Sequence, residues 1–208
     1  MGNFDSRLCE CTEVAECRTM VMNSGVENCK SQCKEKLEFF GNNTINFLGC
    51  FKEFVEDEID ILDKCLHKDE KFCNKDRTNV KYISIPYEVL FNMVGISDHI
   101  PPKNDLGSAI LKIPLIKKAH ETYGIFREFQ SCVNYCLGLE SYACFTSKGC
   151  MVDIPYSNEL VKKFKGCTTD NYKINLNNIK ACQCLVNQHN QIQLRGACAF
   201  MGNRYYMQ

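Results

Sequence analysis

NTINFLGCFKEFVEDEIDILDKCL, residues Asn43 to Leu66, repeats its apolar side chains at the period of an α-helix. Leu48, Phe51, Val55, Ile59, Leu62 and Leu66 recur at steps of three and four, and Phe47, Cys50, Phe54, Ile61 and Cys65 form a second stripe beside them. Lys52, Glu53, Glu56, Asp57, Asp60 and Asp63 occupy the remaining face. An apolar surface this wide needs two neighbours to cover it, so the segment predicts a helix packed inside a helical protein.

Working outward, Val26, Cys29, Cys33, Leu37 and Phe40 make another helical stripe, stopped by Gly41-Asn42. Cys29 and Cys33 stand one turn apart on one side, so each is expected to staple this helix to a different neighbour. Phe126, Phe129, Cys132/Val133 and Cys136/Leu137 repeat the arrangement later in the chain. Between these, Pro86 can open a helix through Phe91, and Ala109 to Phe129 is apolar at helical spacing, with Pro114 marking a start or a kink. Alternating patterns are scarce. Val80 to Ile85 is the best of them and predicts at most a short extended segment. The expected class is all-α.

Sixteen cysteines in 208 residues set the compartment. They are Cys9, Cys11, Cys17, Cys29, Cys33, Cys50, Cys65, Cys73, Cys132, Cys136, Cys144, Cys150, Cys167, Cys182, Cys184 and Cys198. Cytosolic thiol buffers keep such cysteines reduced, so this density and an even count predict disulfides and a secreted, extracellular protein. Zinc would call for Cys-x2-Cys knuckles, and no such pair occurs. The pairing itself stays open, since eight cysteines alone allow 105 arrangements.

The cysteines fall into two sets of eight, Cys9 to Cys73 and Cys132 to Cys198, around a cysteine-free stretch. Cys17–Cys29 and Cys132–Cys144 each enclose eleven residues, Cys33–Cys50 and Cys150–Cys167 sixteen, Cys50–Cys65 and Cys167–Cys182 fourteen. Phe47-Leu48-Gly49-Cys50 falls on Phe164-Lys165-Gly166-Cys167 in the same register. The spacing predicts two duplicated, disulfide-framed helical units, 1–78 and 132–208, packed through a cysteine-free helical connector, 79–131.

Charge excludes some partners. Twenty-five basic residues balance 25 acidic ones, and the short basic runs at Lys117-Lys118 and Lys162-Lys163-Lys165 fall on helix faces. No nucleic acid is expected. No stretch approaches 18 apolar residues, so no transmembrane segment is expected. The start lacks a signal peptide's basic and apolar regions, and Met1 is expected to stand where such a peptide was removed. The competing reading is myristoylation, because Met1 to Ser6 fits M-G-x-x-x-[ST].

Catalytic patterns are missing. There is no Gly-x-Ser-x-Gly, His-Glu-x-x-His, phosphate loop or Gly-x-Gly-x-x-Gly. His67, His99, His120 and His189 lack a partner and nucleophile recognisable from sequence, and are expected to be exposed or capping residues. The carboxylates of Glu56-Asp57-Glu58 belong to a wet helix face and lack a calcium loop's alternation. Cys182-x-Cys184 suits redox exchange on paper, but a structural role is the expectation. No cofactor and no metal are expected. Asn42-Asn43-Thr44 is an N-glycosylation acceptor sequon between two predicted helices.

The eight-cysteine helical unit, Phe47-Leu48-Gly49-Cys50 with its long following helix, and the closing Cys182-Gln183-Cys184 resemble nematode secreted cysteine-rich proteins of the chondroitin proteoglycan 4 domain type. The resemblance lies in cysteine layout over most of the chain. It implies an extracellular, non-catalytic protein, of the kind a parasite secretes to act on host molecules. Ser24-Gly25 is the sole Ser-Gly pair, which argues against a proteoglycan core. Three functions follow as expectations: an extracellular binding protein first, a carrier of lipid or another small apolar ligand second, and a secreted enzyme of unrecognised type third.

Overall fold

A computed structural model of the chain describes residues 2–52, 56, 57, 60, 72–76, 78–86, 112–153 and 172–201. The fold is mostly helical. Strand β1 (Asn3–Leu8) leads into α1 (Cys11–Met20), a π-helical turn (Val21–Gly25) and α2 (Val26–Gln32). A 3-10 helix (Lys34–Phe40) then ends at Gly41, whose φ of 135° is one that side chains rarely adopt. Helix α3 (Thr44–Phe47) continues as a 3-10 helix (Leu48–Phe51). Strand β2 (Tyr82–Pro86), helix α4 (Pro114–Ser147), strand β3 (Cys150–Met151), α5 (Tyr172–Gln188), a 3-10 turn (Ile192–Leu194) and α6 (Arg195–Met201) complete the described elements.

The 34-residue α4 is the spine. Pro114 occupies its first turn, where a missing N–H costs no helical hydrogen bond, so it marks a start and not a kink. Along one face Phe126, Phe129, Val133, Cys136 and Leu137 are buried, as the spacing predicts. Against them lie Val26, Cys29, Cys33, Leu37 and Phe40 from the first stripe, and Phe47, Leu48 and Phe51 from the second. Leu185 and Ala181 of α5 and Leu194 close the same core. Residues 61–66 of the opening segment lie outside the described residues, as do His67, His99, the helix expected after Pro86 and the basic run at Lys162.

Seven disulfides join the described residues: Cys9–Cys150, Cys11–Cys73, Cys17–Cys144, Cys29–Cys136, Cys33–Cys132, Cys50–Cys184 and Cys182–Cys198. Cys65 and Cys167 lie outside them. Five of the seven connect the first cysteine set to the second. Four are nested, with partner numbers falling from 150 to 132 as the first rises from 9 to 33, so the opening helices run antiparallel to α4. Cys29 and Cys33 therefore do not staple α2 to two different neighbours. Both bond to α4, because Cys132 and Cys136 also stand one turn apart and the two helices run in opposite directions.

Between Cys17 and Cys29 the chain takes twelve steps where α4 takes eight from Cys136 to Cys144. The π-helical turn Val21–Gly25 sits in that interval. Its i→i+5 closure puts more residues into each turn, which takes up part of the excess.

An entirely α-helical fold is corrected by a small sheet of order β2-β1-β3. β1 pairs antiparallel with β2, Asn3 opposite Pro86 and Arg7 opposite Tyr82, and parallel with β3 through Arg7–Cys150 and Leu8–Met151. The segment at Val80 to Ile85 is extended as expected, but Pro86 ends a strand there. Pro86 faces the chain's first residues at the end of the pairing, a place where proline's missing N–H is tolerated. β1 has one apolar side chain every fourth residue, Phe4 and Leu8, too little alternation to announce a strand.

Candidate functional site

The disulfides differ in how far solvent reaches them. Cys9, Cys29 and Cys182 are wholly covered, and Cys17, Cys33 and Cys150 nearly so. Among the described disulfides two, Cys11–Cys73 and Cys50–Cys184, have both cysteines half-buried. The motif Cys182-x-Cys184 does not form a redox pair with itself, since Cys182 bonds to Cys198 and Cys184 to Cys50. Residues two apart on a helix point to nearly opposite sides.

Among the described residues, three groups bring cysteine sulfurs near a histidine or carboxylate: Cys50, Cys184 and His189; Cys9, Glu13 and Cys150; Cys29, Cys136 and Glu140. In each, the two sulfurs are bonded to one another, whereas a metal-binding cysteine is a thiolate. The first group stands apart because its third member is an imidazole. His189 follows the last turn of α5 and its amide donates to the Leu185 carbonyl. Its ring meets the Phe47 ring edge to face at 5.3 Å. In the sequence the one sign of this grouping is that His189 stands five residues after Cys184.

His189 also stands at the apolar end of the molecule. From Phe47 a chain of ring contacts runs to Phe40 at 6.5 Å and on to Phe39 at 5.3 Å, and the Lys118 ammonium lies 4.6 Å from the centre of the Phe39 ring. Phe39, Ile45, Ile113, Leu115 and Ile192 are all large, apolar and at least two-fifths exposed. Leu115 reaches across to α6, where a Cβ on Gly196 would come within 2.4 Å of its Cδ1. Phe39 is carried by the 3-10 helix, Ile45 by α3, Ile113 and Leu115 by the start of α4, and Ile192 by the turn before α6. Nothing in the one-dimensional pattern links these five.

Asn42 is exposed in the bend between the Lys34–Phe40 helix and α3, and Asn43 beside it is exposed as well. Thr44, the third residue of the sequon, is buried. Among the carboxylates of the opening segment, Asp57 accepts a 2.9 Å hydrogen bond from the Asn177 amide, which ties α5 to that helix face. His120 is half-buried on α4.

At the other end of α4, Arg7 and Glu13 form a polar cluster beside Lys148. Arg7 donates two hydrogen bonds to Glu13, at 2.7 and 2.8 Å, and a third to the Lys148 carbonyl. Those bonds hold the Glu13 carboxyl below the usual carboxylate range and raise Arg7 in turn. The Glu10 amide donates to Glu13 as well, completing a capping box at the start of α1. Nearby, the buried Asn74 donates to the carbonyls of Asp76 and Asn79, and the Thr78 hydroxyl and amide hold the Asp76 carboxyl low. These groups satisfy one another and read as structural anchors beside Cys11–Cys73.

The chain matches no protein-family model, no curated protein and no solved structure. Among the described residues, no helix is long and apolar enough to cross a membrane.

Proposed function

We propose that the chain works outside the reducing cell as a non-catalytic binding protein, and that its contact face is the apolar end around Phe39, Ile45, Ile113, Leu115 and Ile192. The observation that carries this reading is that these five large apolar side chains, carried by four separate elements, are exposed, with Phe39 beside Lys118 of α4 and Leu115 beside Gly196 of α6. Single exposed apolar residues are ordinary, but a group of them is characteristic of interaction sites. The aromatic Phe39 backed by Lys118 offers an anchor of the sort that dominates protein interfaces. Cys33–Cys132 and Cys50–Cys184 anchor the two ends of the segment that carries Phe39 and Ile45, which restrains it before binding and lowers the ordering cost.

A protein partner suits this surface better than a small ligand. The core phenylalanines pack against each other: Phe51 on Phe126 and Phe129 at 5.0 and 4.9 Å, and Phe40 on Phe126 at 5.8 Å. The resemblance to nematode secreted proteins belongs to the same reading, and with it a parasite product acting on host molecules.

Phe39→Asp combined with Ile192→Asp tests the proposal. Both positions are exposed, so thermal stability should hold while recovery of an extracellular-fluid protein on immobilised chain is lost. Equal recovery by the variant, or no protein recovered by the native chain, would remove the basis for this face.

A further inference from the structure

We infer that Cys50–Cys184 is a site of thiol–disulfide exchange, and that His189 promotes its opening by stabilising the sulfur that leaves. Two observations single out this bond. It is one of two among the described disulfides whose cysteines are both half-buried, the other being Cys11–Cys73, so it is more open to an incoming thiolate than the buried bonds. It also has an imidazole nitrogen within 4.8 Å of both sulfurs. Two elements bring the three groups together: Cys50 lies on the 3-10 helix after α3, while Cys184 lies on α5 and His189 directly follows it, where Phe47 packs against its ring.

The chemistry uses an external thiol. Its thiolate attacks one sulfur and forms a mixed disulfide. The electron pair of the Cys50–Cys184 bond departs on the other sulfur as a thiolate. A protonated imidazole beside that sulfur stabilises the thiolate by charge and can then hand it a proton, lowering the effective pKa of the leaving thiol, and such thiols leave faster. Because His189 lies within 4.8 Å of both sulfurs, it serves whichever one leaves. A second thiol resolves the mixed disulfide, so two external thiols are oxidised to their disulfide and Cys50 and Cys184 end as two thiols. The reductant is thus a small monothiol, for which glutathione is the probe.

The other carboxylate-bearing groups do not share this property. Beside Cys9–Cys150 stands Glu13, and beside Cys29–Cys136 stands Glu140; an anion at either would oppose thiolate departure. Those bonds are also covered by the core. Cys11–Cys73 serves as an internal control, with both cysteines half-buried and no histidine grouped with its sulfurs among the described residues.

The test treats the intact native chain with reduced glutathione at neutral pH, blocks thiols by alkylation at successive times and reads each cysteine by peptide mass spectrometry. Cys50 and Cys184 should be labelled first, at about ten times the rate of Cys11 and Cys73. His189→Gln, which keeps a polar side chain without a cation, should remove most of that advantage, while His189→Lys should keep much of it. A histidine that merely shields the bond predicts the reverse, because its loss would speed attack. The inference is overturned if Cys11–Cys73 or a buried bond opens first, if no bond opens before the chain unfolds, or if the Gln variant opens as fast as the native protein.

Discussion

Phe126 meets Phe51 edge to face at 5.0 Å and Phe40 at 5.8 Å, with none of its surface exposed. Truncating a buried phenylalanine loses its transfer energy and leaves a cavity that a disulfide-held frame cannot collapse. Phe126→Ala is expected to cost about 3–5 kcal/mol, measured by urea unfolding under non-reducing conditions. Glu13 carries a pH signature. Its folded carboxyl is held low by Arg7, so the folded state binds fewer protons than the unfolded one. The stability it adds is present above the ordinary glutamate value of about 4.3 and is lost as pH falls through the lower folded value. Arg7→Met should therefore lower the melting temperature at pH 7 and bring native and variant together near pH 2. A difference that persists at that acidity would assign the effect to packing of Arg7, not to its charge. Asn42 is exposed in its bend. Chain made in a glycosylating secretory host should lose mass on glycosidase treatment, and Asn42→Gln should abolish the change.

At the scale of elements, the stripes were legible because each lies on one continuous helix. Val26, Cys29, Cys33, Leu37 and Phe40 are all buried, and Pro114 does begin the spine. What joins the stripes was not legible. The destination of Cys29 depends on α4 lying antiparallel more than a hundred residues later, and spacing within a segment carries no such information. The sheet was missed for a related reason: β1 is held by partners at Tyr82–Pro86 and Cys150–Met151, not by an alternation of its own. The apolar end was invisible too, since its five residues come from four elements. The nested pairing has an energetic consequence. Cys29–Cys136 and Cys33–Cys132 close loops of 107 and 99 residues that almost coincide. Once one is made, the other restricts the unfolded chain little further. Cys182–Cys198 closes a separate loop of 16 residues, worth about 3 kcal/mol in chain entropy. Replacing Cys182 and Cys198 by alanine should thus destabilise more than replacing Cys29 and Cys136, the opposite of what loop length alone predicts. Unfolding in denaturant without reductant, run on both double variants, ranks them.

For the whole molecule, the covalent frame decides which environment the chain can work in. Fourteen cysteines are joined in seven bonds, five of which cross between the two cysteine sets, and no described cysteine is free. Cys65 and Cys167, outside the described residues, are the two that remain. The Cys50–Cys184 bond and the hydrogen bond from Asn177 to Asp57 set one antiparallel register between the opening segment and α5. In the sequence Cys65 lies eight residues after Asp57 and Cys167 ten before Asn177. In an oxidising compartment two thiols left without other partners are oxidised to each other. Peptide mapping of native protein, alkylated before any reductant is added, should recover Cys65 and Cys167 in one cross-linked peptide and find no alkylated cysteine. Labelling of these two alone would leave the seven-bond frame standing and make them a reactive pair. Labelling at many positions would instead place the chain in a reducing compartment, where the disulfide frame, and the preformed apolar end that depends on it, could not be maintained.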